Sequence, residues 1–179
     1  MTSLDQPLPG VHLLQPKVFE DARGDFVKTF HAGAFSELGI AFAPVEEFFS
    51  TSQKGVLRGM HFQLPPHDHD KLVYCIRGRV LDVLLDLRKA SPTYLQVASA
   101  ELSRDNHHQF YIPSGVAHGF LSMEDDSVMV YKTTTVHAPS HDAGIKWDSI
   151  GFDWSLEIAP VVSPRDVGFP MLSDFQNPF

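Results

Sequence analysis

Two histidines of this chain, His61 and His118, each follow a glycine-containing turn within a strand-like run: His61 after Gly59, His118 after Pro113-Ser114-Gly115. Histidine exchanges a proton near neutral pH and is also the commonest metal ligand. Two of them converging inside a β-structure therefore serve either proton transfer or metal binding. A lone histidine in such a run reads as a hydrogen-bonded core residue. Two of them, with Asp82, Asp166, Lys71 and Tyr131 in similar strand or loop-end settings, favour a reactive site. Asp82 carries much of this weight. In residues 80–87 (VLDVLLDL) it shares a face with Asp86, whereas Leu81, Val83, Leu85 and Leu87 take the other. A carboxylate on the inner face of an apolar strand is costly unless something pairs with it. The pattern points to a polar pocket lined by strands.

Metal binding makes its own demand on spacing. A β-barrel metal site of this kind wants two histidines one residue apart on a strand, a carboxylate soon after and a later histidine. Gln63 stands where the second histidine would follow His61. His67 and His69 have the H-x-H spacing, but they follow Pro65-Pro66 in an expected loop and read as solvent-exposed. Arg23, Arg58 and Lys71 fall at turns or strand starts, where they either point into a pocket mouth or are scattered surface charges. Arginine suits bidentate phosphate contact and lysine a point contact to an oxyanion. Tyr131, in the strand-like run VMVYK, is either a packed core ring or a general acid that gives its proton to a carbanion.

The elements that must hold these groups are mostly strands. A polar, proline-rich stretch over 1–10 reads as a loose arm. Strands are expected at 11–19, interrupted by Pro16, and at 25–30, with a short helix at 32–38 ended by Gly39. Further strands are expected at 41–51, 56–63, either side of a hairpin at Gly78, and at 94–102, 109–112, 118–121 and 127–135, with a loop over 137–144. Ser163-Pro164 reads as a helix cap with proline in the first turn, placing a short helix near 165–167. Many strands and few helices, with no internal repeat or linker, predict an all-β sandwich or jelly roll in one domain spanning 1–179.

Composition narrows the function. The net charge of −8 argues against nucleic acid and against membrane surfaces as partners, but not against a small anion held by local arginines. Cys75 is the single cysteine and lies in a strand pattern, so it reads as buried filler in a chain suited to the reducing cytoplasm. No apolar run approaches the ~20 residues of a membrane helix.

Several motifs come in order along the chain: R-G-x-H-F-Q at 58–63, K-L-V at 71–73, D-V-x-x-D-L-R at 82–88, S-P-T at 91–93, I-P-x-G-x-A-H-G-F at 112–120, Y-K-x-T at 131–134 and I-K-W-D at 145–148. Together they resemble the dTDP-4-dehydrorhamnose 3,5-epimerase family of cupin nucleotide-sugar epimerases. The resemblance implies a cupin-type jelly roll, a homodimer, no metal and no redox cofactor. It implies a substrate in which a nucleoside diphosphate carries a 4-keto-6-deoxy sugar, inverted at C3, C5 or both. It further implies His61 as the base with Asp166 orienting it, Tyr131 as the acid on the other face, and His118 with Asp82 as a supporting pair. Lys71 would stand near the enolate oxygen, and Arg23 and Arg58 near the diphosphate. Phe26, Lys28, Glu46, Gln63 and His137 complete the implied substrate-binding set. Lys28, the run from Glu46 to Ser50 and His137 depart from the family's pattern where the nucleobase would lie, which predicts an altered base site. A ketoisomerase of the same fold and a metal-binding cupin are the alternatives.

Overall fold

A computed structural model describes residues 1–156 and 159–179. Fourteen strands are defined among the described residues. In chain order they are β1 (Thr2–Asp5), β2 (His12–Gln15), β3 (Lys17–Asp21), β4 (Gly24–Lys28), β5 (Glu46–Ser52), β6 (Val56–Gln63) and β7 (Lys71–Arg77). They continue with β8 (Arg79–Asp86), β9 (Val97–Ser103), β10 (Gln109–Ile112), β11 (Val116–Ser122), β12 (Ser127–Thr133), β13 (Asp142–Gly144) and β14 (Val161–Val162). Two short α-helices, α1 (Ala32–Glu37) and α2 (Pro164–Val167), complete the elements that matter to the site.

The strands form two main sheets. One runs β1-β2-β10-β7-β12-β5, the other β13-β6-β11-β8-β9 with β14 parallel to β6. The hairpin β3–β4 pairs with neither. This is the jelly roll that the strand-rich sequence predicts.

Alternation decides what faces what. On β7, Val73 and Cys75 join one apolar cluster while Leu72 and Tyr74 join another. The first cluster draws on both sheets, with Val80, Leu84, Phe110, Phe120 and Met129, and fills the space between them. The second lies on the outer face of the first sheet, where Phe35 of α1 packs with Phe42 and Tyr111. A third cluster covers the outer face of the second sheet: Val83, Leu85 and Leu87 meet Ile145, Ile150, Trp154 and the C-terminal Phe175 and Phe179. Every central strand thus buries both faces, which is why β8 reads as a nearly continuous apolar run. Lys71, His118 and Tyr131 share parity with inward residues of their strands and so face the interior between the sheets.

One irregularity positions the site. His118 pairs with His61, but Phe120 pairs with Arg58, so two steps on β11 answer three on β6. The extra residue is a β-bulge at Gly59-Met60. It resets the alternation, so that Arg58 and His61, three apart, both reach the same cavity. Gly59 permits it: its φ is +139°, and a Cβ there would lie 2.5 Å from the Cα of Gly119.

Several expectations need correction. Residues 1–10 are not a loose arm, because β1 pairs antiparallel with β2. The strand expected over 11–19 is two, β2 and β3, broken at Pro16, and they join different sheets. The strand of 41–51 begins only at Glu46, and that of 94–102 only at Val97, since Leu95 takes a positive φ of 63°. The loop of 137–144 ends in β13, which pairs with β6. Cys75 is buried, as expected, and burial pushes its thiol up to about 11.

Candidate active site

A cavity of about 420 Å³ opens between the sheets. His61 and Arg58 reach it from β6, His118 and Phe120 from β11, Lys71 from β7, Tyr131 and Thr133 from β12, and Glu46, Phe48 and Ser50 from β5. Loops add His69 and His137, α2 adds Arg165, and β13 adds Asp142.

His61 is backed by a carboxylate from a distant part of the chain. Ser163 caps α2 by accepting the Asp166 N–H at 3.1 Å, with Pro164 in the first turn. That cap fixes Asp166, which is buried. Its Oδ2 accepts the Gly59 N–H at 3.0 Å, and its Oδ1 lies 2.9 Å from His61 Nε2. The latter contact is close in distance yet bent away from a straight hydrogen bond, which leaves Nε2 imperfectly satisfied. We read it as a charge contact that tightens once the ring is protonated. Burial lowers the His61 pKa below its usual 6.5, and Asp166 opposes that shift. Burial raises Asp166, but contacts with His61, the Gly59 N–H and Ser163 outweigh it and hold the carboxyl below its usual range. At neutral pH the pair is therefore a neutral imidazole beside a carboxylate, the state a base requires. The Phe169 ring packs edge-on against His61 at 5.7 Å and fills the space over Gly144.

A second pair lies deeper. His118 Nε2 stands 2.8 Å from Asp82 Oδ2, and Asp82 has no measurable exposure. Its Oδ1 has no hydrogen-bond partner among the described residues. Burial raises the Asp82 pKa, against the pull of His118 and Lys71. The cost read from the VLDVLLDL pattern is thus met by a histidine on the neighbouring strand.

Lys71 is buried, and its Nζ donates to the main-chain carbonyl of His61 at 3.0 Å. Burial lowers its pKa to about 8, with Asp142 and Asp82 drawing it back up. It stays charged at neutral pH in a partly dry space, where a cation acts strongly on a developing oxyanion. Tyr131 is also buried, and burial raises its pKa well above 10. Its hydroxyl reaches Ser50 Oγ at 3.4 Å. Its ring stacks on Phe48, the directly opposed residue of β5, with centroids 4.8 Å apart and planes inclined by 11°.

At the mouth, Arg58 donates to Ser52 Oγ at 3.0 Å and to the Thr51 carbonyl at 3.1 Å. Glu46 Oε2 accepts the His137 N–H at 2.6 Å. Gln63 is buried. Its amide nitrogen donates to the His67 carbonyl at 2.7 Å, and its oxygen accepts the Ala138 N–H at 2.6 Å, tying two loops together. Gln63 therefore holds the wall as well as lining it.

The structure brings His61, Asp166, Lys71, His118, Asp82, Tyr131, Arg58, Glu46, Gln63 and His137 to one cavity or directly behind it. It does not bring Arg23, Phe26 and Lys28 there. Arg23 sits in the β3–β4 turn, 90% exposed and ion-paired with Asp21 at 2.5 Å. Phe26 and Lys28 are exposed on β4. His69, expected in solvent, lines the cavity, with Nδ1 near Gln63 Nε2 at 3.2 Å and Thr135 Oγ1 at 3.1 Å. Burial and Lys71 lower its pKa to about 3, so it is neutral. Its parity with Lys71 and Val73 was the available signal. Phe48 and Ser50 likewise follow from Glu46 by alternation. Nothing local marks Arg165 or Asp142, which pair with each other at 2.8 Å. Among the described residues no three His, Cys, Asp or Glu side chains converge as a metal site.

The family model of dTDP-4-dehydrorhamnose 3,5-epimerase matches residues 5–174. The chain belongs to that family. A relative of that name from Methanothermobacter thermautotrophicus is 43% identical over 169 residues, covering 92% of this chain and 89% of its own. Among solved structures, the family's enzyme from Bacillus anthracis, with TDP and PPi bound, superposes with a TM-score of 0.93 at 33% identity, covering 96% of this chain and 99% of that one. The Legionella pneumophila 3,5-epimerase, in complex with dTDP-4-keto-L-rhamnose, gives 0.92 at 35%, covering 97% and 94%. Family membership makes this protein an isomerase-class enzyme, an epimerase on a cupin jelly roll. No helix among the described residues is long and apolar enough to cross a membrane.

Proposed function

We propose that this epimerase inverts C3, C5 or both in a 4-keto-6-deoxy sugar carried on a nucleoside diphosphate, in deoxysugar biosynthesis. A thymidine nucleotide is the first choice of carrier, since family structures hold TDP and a dTDP-sugar. The observation that carries the proposal is the siting of a carboxylate-backed imidazole on one sheet and a buried phenol on the other, with the Lys71 ammonium bonded to the His61 carbonyl, around one cavity.

A hydrogen beside a ketone is a weak acid, so a base near neutral pKa needs the enolate stabilised. His61 removes that hydrogen through its free ring nitrogen, and Asp166 stabilises the imidazolium that forms. The ammonium of Lys71 faces the enolate oxygen. Tyr131, kept protonated by burial, delivers a proton to the same carbon from the opposite face, which inverts the centre. The phenolate then regains a proton from solvent as His61 releases one. His118 and Asp82 hold the floor of the site. Arg58 takes the diphosphate, and Glu46 and His137 at the mouth meet the nucleoside.

Arg23, Phe26 and Lys28 lie outside their own chain's cavity, so any contact they make with substrate has to be in a second copy. A homodimer in the cytoplasm is the matching proposal. Exposed Phe19, Phe26 and Phe49 and the lone buried Cys75 agree with it. Each copy is a single domain spanning 1–179.

Incubation with the dTDP-4-keto-6-deoxy sugar in heavy water tests the proposal. Deuterium is expected at one or both carbons flanking the ketone, and its absence from both, with all nucleotide carriers tried, rejects the reading. Recovery of activity on mixing Arg23→Ala with His61→Asn chains tests the dimer.

A further inference from the structure

Tyr131 is confined on more than one side. Its ring lies flat on Phe48 at 4.8 Å, and the His118 ring stands edge-on to it at 6.0 Å with planes at 68°. Ser50, two residues along β5 from Phe48, is the hydroxyl's contact, and at 3.4 Å it is a weak anchor. The phenol's direction therefore depends on the stack more than on a hydrogen bond. Phe48 is poorly placed to be a core residue. It stands on β5, at the edge of its sheet, and is 47% exposed. A half-exposed phenylalanine on an edge strand is explained better by what it does to the ring it covers.

We propose that Phe48 is a positioning residue: by stacking on Tyr131 it holds the phenol on the cavity face opposite His61, so that the enolate is protonated there rather than returned to its starting configuration. This rests on the epimerase reading above. After His61 takes the proton, two fates compete for the same carbon. Tyr131 O–H gives its proton from the far face, the O–H bond breaks, a new C–H bond forms and the centre inverts. Alternatively the His61 N–H gives a proton back on the near face, the same C–H bond reforms and nothing inverts. In heavy water the second path still leaves deuterium behind whenever the His61 proton has exchanged with solvent. A mobile phenol arrives late and favours return. Phe48 therefore sets the ratio of isotope exchange to inversion and has little part in removing the first proton.

The experiment measures both rates on the dTDP-4-keto-6-deoxy sugar in heavy water, deuterium uptake by mass and inversion by product NMR. In the native enzyme the two run at comparable rates. An aromatic stack is a modest interaction, so Phe48→Ala is expected to raise the exchange-to-inversion ratio by about 3- to 10-fold. Phe48→Leu, which keeps apolar bulk but has no flat face, is expected to do the same, and Phe48→Tyr to restore the native ratio. The half-exposed edge position makes loss of folding a small risk, and the melting temperatures of all three check it. A folded Phe48→Ala or Phe48→Leu enzyme with the native ratio overturns the proposal, as does Phe48→Tyr behaving like Phe48→Ala. A native enzyme that exchanges neither carbon overturns the epimerase reading instead, and this proposal with it.

Discussion

Lys71 Nζ donates to the backbone carbonyl of His61, tying the cavity's buried cation to the strand that carries its base. The bond links two sheets, since β7 belongs to one and β6 to the other. It also makes the base and its electrostatic partner move together.

This sets the pH profile. His61 acts when neutral, and its pKa is lowered from 6.5, so the acid limb of kcat/KM falls below pH 6.5. Lys71 acts when protonated, so activity declines as pH rises through about 8. Tyr131 stays protonated beyond that point. Lys71→Arg removes the alkaline limb near 8, because arginine keeps its charge throughout. A profile of kcat/KM from pH 5 to 10 for both enzymes checks this.

The base and the acid separate by isotope. His61→Asn is expected to lower deuterium exchange by ~10²–10⁴-fold, the usual contribution of a general base. Tyr131→Phe keeps exchange and loses inversion at a carbon it serves. Equal losses of both rates in Tyr131→Phe contradict its assignment as the acid.

Stability depends on pH through His69. Its folded pKa of about 3 lies below the unfolded 6.5, so the unfolded chain binds more protons between those values. The contribution is complete above pH 6.5 and is lost as pH falls toward 3. His61 adds to the loss in the same direction. His69→Gln removes one share, and its melting temperature at pH 4.5, relative to pH 7, is expected to hold up better than the native protein's by roughly 5 °C.

Gly144→Ala tests the packing behind the base. A Cβ there falls 2.3 Å from Phe169 Cε2, so the ring that backs His61 has to move. The expected cost is ~1–3 kcal/mol of stability, with a fall in kcat as His61 shifts. Adding Phe169→Leu relieves the clash and recovers part of the stability, which thermal melts of the single and double variants measure.

Much of this was legible beforehand, for physical reasons that differ by element. Flanking turn residues located β6 and β10 to the residue even though packing on both faces blurs their alternation, and parity set Asp82 apart as a carboxylate on an otherwise apolar strand. The Ser163-Pro164 cap was readable because capping is local chemistry. His69 was misplaced in solvent because a proline pair read as the start of an open loop, whereas Gln63 and Thr135 draw that loop inward. The Arg165–Asp142 pair joins segments 23 residues apart, and no local pattern encodes such a meeting. Phe26 and Lys28 were tied to the site by resemblance alone and Arg23 also by its place at a turn, and a β3–β4 hairpin outside both sheets carries all three away from it.

The cavity's walls are not equally free to change. His61, Lys71, His118 and Tyr131 project from strands hemmed in on either flank, where a new side chain disturbs neighbours all around. Glu46, Phe48 and Ser50 project from the outermost strand of their sheet, with every second side chain turned outward. A replacement of Glu46 remodels one rim of the chamber and leaves the interior untouched, whereas one at Phe48 or Ser50 also reaches the Tyr131 phenol that each touches. Preference for one carrier can therefore be retuned at Glu46 while the acid–base pair stays as it is.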